Sequence, residues 1–254
     1  MPTENKPRTV QAVSISLSII EVLQQRTEAG ITEIASELGR SKGTIHSHLS
    51  TLLEDEYVVR EGETYRLSLK FLELSQSVQA EIPGYDIVKD EVESLAAKSS
   101  EIAQFATEEH GRAVYLYKSG GEDAVQTASS VGTREYLHCI ALGKAMLAHM
   151  PEDRVIEIIE QHGLPASTEN TITTQDALME ELEEIRNRGY AFDREEKIEG
   201  IRCVAAPVKI EQRIFGAISI SAPSTRMKGN RFGEELPDMV TRSANVIEIN
   251  AKYS

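Results

Sequence analysis

The stretch from Ile31 to Leu67, ITEIASELGRSKGTIHSHLSTLLEDEYVVREGETYRL, limits the folds open to this chain more than any other part of it. Its spacing predicts a short helix carrying Ile34, Ala35 and Leu38, a tight turn at Gly39, a second helix and a two-stranded wing. That order is the winged form of the helix-turn-helix, whose second helix enters the major groove of double-stranded DNA. Ser41 is the expected N-cap of the second helix, and Ile45, Leu49, Leu52 and Leu53 its buried face. The outward residues would be Ser41, Lys42, Gly43, Thr44, His46, Ser47 and Ser50, short polar or cationic groups able to reach base edges and phosphates. Val58, Val59, Tyr65 and Leu67 flank a Glu61-Gly62-Glu63 turn, and this hairpin puts Arg60 and Arg66 where a wing touches phosphates.

A DNA reader normally draws affinity from an excess of Lys and Arg, yet the 254 residues carry a formal charge of −14. The surplus is unevenly spread. Residues 1–70 hold eight Lys and Arg against ten Asp and Glu, so the reader is near neutral and the rest of the chain is the acidic body. Hydrated carboxylates in such numbers suit a salt-rich cytoplasm, where charge is screened within a few ångströms, as in a halophilic source. The N-terminus MPTENKPRTV lacks a hydrophobic signal core and no run of 18 apolar residues occurs, which points to a cytoplasmic protein without a membrane partner.

Ahead of the reader, Val10, Val13, Leu17, Ile20 and Leu23 recur at helical spacing between Thr9 and Gln25. Behind it, Leu69, Leu72, Leu74 and Val78 mark a helix that ends at Pro83-Gly84, and Ile87, Val88, Val92, Leu95 and Ala96 mark the next. Both carry more apolar surface than a connector needs, so self-association as a homodimer or a dimer of dimers is expected there. The reading gives a winged helix-turn-helix at 1–69, linker and dimerisation helices at 70–99, and from residue 100 to 254 alternating strands and helices of an α+β domain.

Several segments together resemble the IclR family of transcription regulators. They are the winged reader, YLHCIALGKAMLAHMP from Tyr136, ALMEELEEIRNRGYAFDREEKIEGIRCVAAPV from Ala177 and GAISISAPSTR from Gly216, in family order across nearly the whole chain. The resemblance implies a dimerising linker helix and a C-terminal GAF-like domain that binds a small effector and answers to it on a palindromic operator of catabolic genes. Carried onto this sequence, the effector pocket would use Gly132, Arg134, Leu142, Gly143, Asp193, Cys203, Ser219 and Ser221. Ser219 and Ser221 are two apart and so share one face of a strand. These groups suit a small hydroxy- or keto-acid: Arg134 would pair with its carboxylate, and Asp193 would repel it unless Asp193 faces a hydroxyl or is protonated. Two positions depart from the family pattern, Ser47 where arginine is common and His48 where leucine is usual. The missing arginine would remove a base or phosphate contact worth about 1–3 kcal/mol of discrimination where it reads a base.

Neither a catalytic group nor a cofactor nor a metal is expected. His138, Cys139 and His149 lack a fourth ligand at a recognisable spacing. Lys144 and Lys118 are expected to be solvated or hydrogen-bonded at element ends. The alternative to a regulator is a GAF-like thiol redox enzyme using Cys203 or Cys139, which needs a thiolate held at low pKa by nearby cations.

Overall fold

The computed structural model describes residues 9–125, 129–211 and 213–252. The chain divides between Ile82 and Pro83 into two compact units. The first holds α1 (Gln11–Arg26), β1 (Glu28–Gly30), α2 (Ile31–Leu38), α3 (Lys42–Glu54), β2 (Val58–Glu61), β3 (Thr64–Leu67) and α4 (Lys70–Ala80). Local chemistry sets these boundaries. Glu33 accepts the Gly30 amide at 2.8 Å and starts α2. Gly39, at φ +60°, ends it in the left-handed turn that a side chain resists. Ser41 Oγ then accepts the Thr44 amide at 3.1 Å and starts α3.

Two core expectations for this unit are corrected. The buried stripe of α1 is Ile19, Val22 and Leu23, with Ile15 packed beside it, while Val10, Val13 and Leu17 are exposed. The helix carries two apolar stripes, and packing against α2, α3 and β3 selects one. Leu53 is exposed as well, because it lies one residue, about 100° of helix, past the buried Leu52. The strand β1 has no sequence signature, since three residues are too short to show alternation. It pairs with β3 and completes an antiparallel sheet in the order β1-β3-β2.

The second unit comprises α5 (Tyr85–Ser99), β4 (Ile102–Glu109), β5 (Arg112–Gly120), β6 (Arg134–Tyr136), α6 (Ala141–Leu147), α7 (Glu152–His162), α8 (Gln175–Arg188), β7 (Ala191–Arg194), β8 (Ile201–Ile210), β9 (Arg213–Pro223) and α9 (Leu236–Ala251). Its sheet is antiparallel throughout, in the order β6-β5-β4-β9-β8-β7. One face buries Leu142, Met146, Leu178 and Leu182 from α6 and α8, and the other buries Val88, Val92, Leu95, Val240 and Ile247 from α5 and α9. Helices on both faces explain why β9 runs buried from Gly216 to Ala222 instead of alternating. They also correct the expected linker: α5 is part of this core and not of a 70–99 connector. α4 has no buried residue, its Leu72, Leu74 and Val78 all exposed, as is Leu69 just before it. Among the described residues no helix is long and apolar enough to cross a membrane.

Candidate functional site

Two places carry functional chemistry. The first is α3 with the β2–β3 wing. Ser41, Lys42, Gly43, His46, Ser47 and Ser50 are exposed together, and Thr44 is half-buried. Ser47 Oγ donates to Gly43 O at 3.1 Å and Ser50 Oγ to His46 O at 2.9 Å, so the serines spend their donors on their own helix and present lone pairs outward. His48 points the other way. Its Nδ1 lies 2.9 Å from Ser16 Oγ, stitching α3 to α1. On the wing, Arg66 Nε donates to Glu61 at 2.6 Å, and Arg60 donates to Gly62 O at 2.9 Å with Glu63 at 3.5 Å. Both arginines are thus partly neutralised by the carboxylates of their own turn.

The second place is a cavity of about 320 Å³ in the C-terminal unit. Of the residues carried over by resemblance, Leu142, Asp193, Cys203, Ser219 and Ser221 line it together. Gly132, Arg134 and Gly143 do not. Gly132 sits in an exposed turn at φ +85°, and Arg134 points outward to Glu109 at 3.5 Å. Side chains alternate along an extended segment, so it is Thr133 and Glu135 that face the cavity. Gly143 is a packing residue: a Cβ there would collide with the Leu137 backbone. Sequence reasoning also missed Gln104, Tyr115, Ser129, Ile140, Ala141, Lys197, Ile198 and Ile201, which complete the lining.

The floor is polar. Ser221 Oγ lies 3.1 Å from Cys203 Sγ and 3.3 Å from Gln104 Oε1, and Gln104 donates to Ser129 Oγ at 2.7 Å. Ser219 Oγ is buried and has no hydrogen-bond partner among the described residues. Asp193 accepts the Glu196 amide at 2.7 Å, yet burial, with the negative charge of Glu196 adding to it, pushes its carboxyl up to about 7. Burial raises the Tyr115 hydroxyl, and burial together with Asp193 raises the Cys203 thiol. Cys139 is pushed up to about 11, again by burial. Neither thiol therefore supplies the low-pKa thiolate that redox catalysis requires.

Behind the floor stands Lys144. Of the two expectations for it, solvated or hydrogen-bonded at an element end, the hydrogen-bonded one holds, but within α6 and 1% exposed: its Nζ donates to both oxygens of Glu196, at 2.6 and 2.7 Å, with Glu181 at 3.8 Å. Thr171 Oγ1 donates to Glu196 O at 2.6 Å and Thr168 Oγ1 to Glu195 O at 2.7 Å, so the chain just after Asp193 is firmly held. His138 and Cys139 do not converge on a metal. They engage separate carbonyls, Pro165 O at 3.1 Å and Tyr136 O at 3.5 Å, and the described residues contain no group of three or more metal-ligating side chains.

Comparison with known proteins agrees with both halves of this picture. A profile described as the IclR helix-turn-helix domain matches residues 12–62, and one described as the bacterial transcriptional regulator IclR C-terminal domain matches residues 82–249. A probable HTH-type transcriptional regulator ArcR of Halobacterium salinarum is 33% identical over 249 residues, covering 96% of this chain and 95% of that protein. The crystal structure of Thermotoga maritima IclR superposes with a TM-score of 0.77 at 28% identity, covering 96% of this chain and 98% of that one. The fold is shared too with an IclR homologue of Microbacterium hydrocarbonoxydans solved with 4-hydroxybenzoate, at TM-score 0.82 and 21% identity, over 96% of this chain and all of that one, 100%.

Proposed function

The chain belongs to the IclR family of transcription regulators, and on that premise we propose that its C-terminal cavity senses a small hydroxy- or keto-acid and adjusts the hold of its α3 helices on a palindromic operator of catabolic genes. As a family member it is a ligand-responsive DNA-binding regulator and not an enzyme, built of an N-terminal helix-turn-helix domain and a C-terminal α+β, GAF-like effector domain. The observation that carries the sensing half is Ser219 Oγ, buried and unpartnered among the described residues in a cavity at the small end of the range that holds organic ligands. A buried hydroxyl left unsatisfied costs about 1–3 kcal/mol, which a ligand oxygen beside it would recover. Asp193, with its pKa near neutrality, would accept a ligand hydroxyl without repelling a carboxylate as strongly as an ordinary aspartate does.

The residues for DNA are Ser41, Lys42, Gly43, Thr44, His46, Ser47 and Ser50 on α3, with Arg60 and Arg66 on the wing. A pair of readers set about 34–36 Å apart would meet one face of the duplex, which is the geometric reason for a two-fold operator. Self-association through the exposed Leu72, Leu74 and Val78 of α4 and the Val10, Val13 and Leu17 stripe of α1 would supply that pair, in the cytoplasm where the DNA is. Only a ligand bound more tightly in one arrangement of the pair than in the other shifts its equilibrium. The test is a band shift on DNA upstream of the protein's own gene, titrated with hydroxy- and keto-acids. A sequence-selective complex strengthened or released by one of them is expected. The absence of any sequence-selective complex at low or high salt overturns the reading.

A further inference from the structure

One polar contact of the cavity joins parts of the sheet that its topology keeps furthest apart. β6 and β7 are the two edge strands of the six-stranded sheet. Glu135 lies on β6 and Lys197 on the loop that follows β7, and Lys197 Nζ meets Glu135 Oε2 at 2.5 Å. Both side chains line the cavity and both keep some exposure, so their bridge sits at its rim and not in its floor. The loop beneath is anchored at both of its ends. Glu195 and Glu196 are held by Arg202, Thr168, Thr171 and Lys144, whereas the next residues, Ile198 and Glu199, are exposed and lead into Gly200 at φ +78°. Gly200 is pinned as well, its amide donating to Glu195 at 3.0 Å and its carbonyl accepting from Ser224 at 2.7 Å, so residues 197–199 form a short flap between two fixed points, and the bridge to Glu135 ties it across the sheet.

Charge makes the same pair selective. Lys197 is the one cation among the described residues that line the cavity, and Glu135 already occupies it, while Asp193 supplies the other acidic group. A carboxylate that approaches finds its natural partner masked by another carboxylate of similar geometry. We propose that Glu135 and Lys197 form a carboxylate-exchange latch: the bridge holds the flap closed, and an anionic ligand binds by taking the place of Glu135 on Lys197. The inference rests on the cavity being the effector site, but it makes no use of DNA. The exchange is a proton-neutral substitution of one ion pair for another, so the cavity would favour monocarboxylates over their neutral analogues only when they outcompete Glu135.

Cys203 makes the latch measurable in the full-length protein, because its thiol faces the cavity, whereas Cys139 is fully buried and off the lining. In the absence of ligand, Glu135→Gln and Lys197→Gln should each speed alkylation of Cys203 by iodoacetamide about tenfold, with an unchanged near-ultraviolet circular-dichroism spectrum as the sign that the domain stays folded. The double charge swap, Glu135→Lys with Lys197→Glu, should return the rate toward wild type. Single-variant rates equal to wild type, or a swap that fails to restore protection, overturn the latch. The selectivity is read with lactate and its neutral match, lactamide, by ligand-observed NMR titration. Glu135→Gln should raise the preference for lactate over lactamide by about tenfold relative to wild type, and Lys197→Gln should abolish it. An unchanged ratio in Glu135→Gln, failure of either probe to bind included, overturns the exchange. A failed band shift with these two results intact would remove the regulatory reading and leave the latch standing.

Discussion

Lys144 Nζ donates to both carboxylate oxygens of Glu196, at 2.6 and 2.7 Å, and both side chains are buried. The pair fastens α6 to the loop just after β7, the strand that carries Asp193 into the cavity, across 52 residues of sequence.

A buried ion pair is costly to break and inexpensive to replace. Lys144→Met should lower the free energy of unfolding by about 3–5 kcal/mol, since it strands the Glu196 charge. Joining it with Glu196→Leu should recover most of that loss. Urea denaturation of the two variants is the measurement. A single variant as stable as wild type would show that the pair contributes nothing to the fold.

Asp193 should make stability fall as pH rises. Its folded pKa, about 7, lies above the ordinary aspartate value near 4, so between these limits the unfolded chain gives up a proton that the folded chain keeps. That difference favours unfolding progressively from about pH 4 to pH 7, by about 4 kcal/mol across the window, and is constant above it. His149, pulled down to about 4 by burial, acts in the opposite sense, but it is common to wild type and variant and cancels in their difference. The wild-type stability minus that of Asp193→Asn, followed by thermal denaturation from pH 4 to 8, should therefore decline and then level off.

On the wing, Glu61 and Glu63 hold Arg66 and Arg60, the arginines proposed to meet phosphates. Glu61→Gln should strengthen DNA binding and steepen its dependence on salt, by about 0.9 in log K against log salt for each additional phosphate neutralised. Fluorescence anisotropy at several salt concentrations reads the slope. A slope identical to wild type would show that Arg66 contributes nothing to the complex.

The two histidines of α3 should separate cleanly. His46→Ala removes an exposed side chain of the reading face and should weaken operator binding while leaving the melting temperature within about 1 °C. His48→Ala removes the bond to Ser16 and should cost about 1 kcal/mol of stability with little change in operator preference. Melting curves and anisotropy on the same samples distinguish them.

The reader was legible because its signals are local: the Gly39 turn, the Ser41 cap and the helical spacing of Ile45 and Leu49 need no distant partner to be read. The face of α1 was not, since its two apolar stripes are equivalent until α2, α3 and β3 choose between them. Along the sheet the legible part was the alternation that puts Ser219 and Ser221 on one side. Near β6 the family resemblance fell one residue out of step, and in extended chain such a slip exchanges the two faces, giving Gly132 and Arg134 in place of Thr133 and Glu135. Gln104 and Tyr115 gave no signal, because strands covered on both faces hide which side is the cavity. The sequence leaves Lys144 open between a solvated and a hydrogen-bonded place because its partners, Glu196 and Glu181, lie far along the chain.

The cavity draws its wall from β4 at Gln104, from Glu135 beside one sheet edge and from Asp193 at the other, so no partial assembly of the domain contains it. Whatever binds there recognises only the finished molecule, and at one hundred times its dissociation constant it adds about 2.7 kcal/mol to the folded state. Supply of that ligand would then set how long the protein survives degradation.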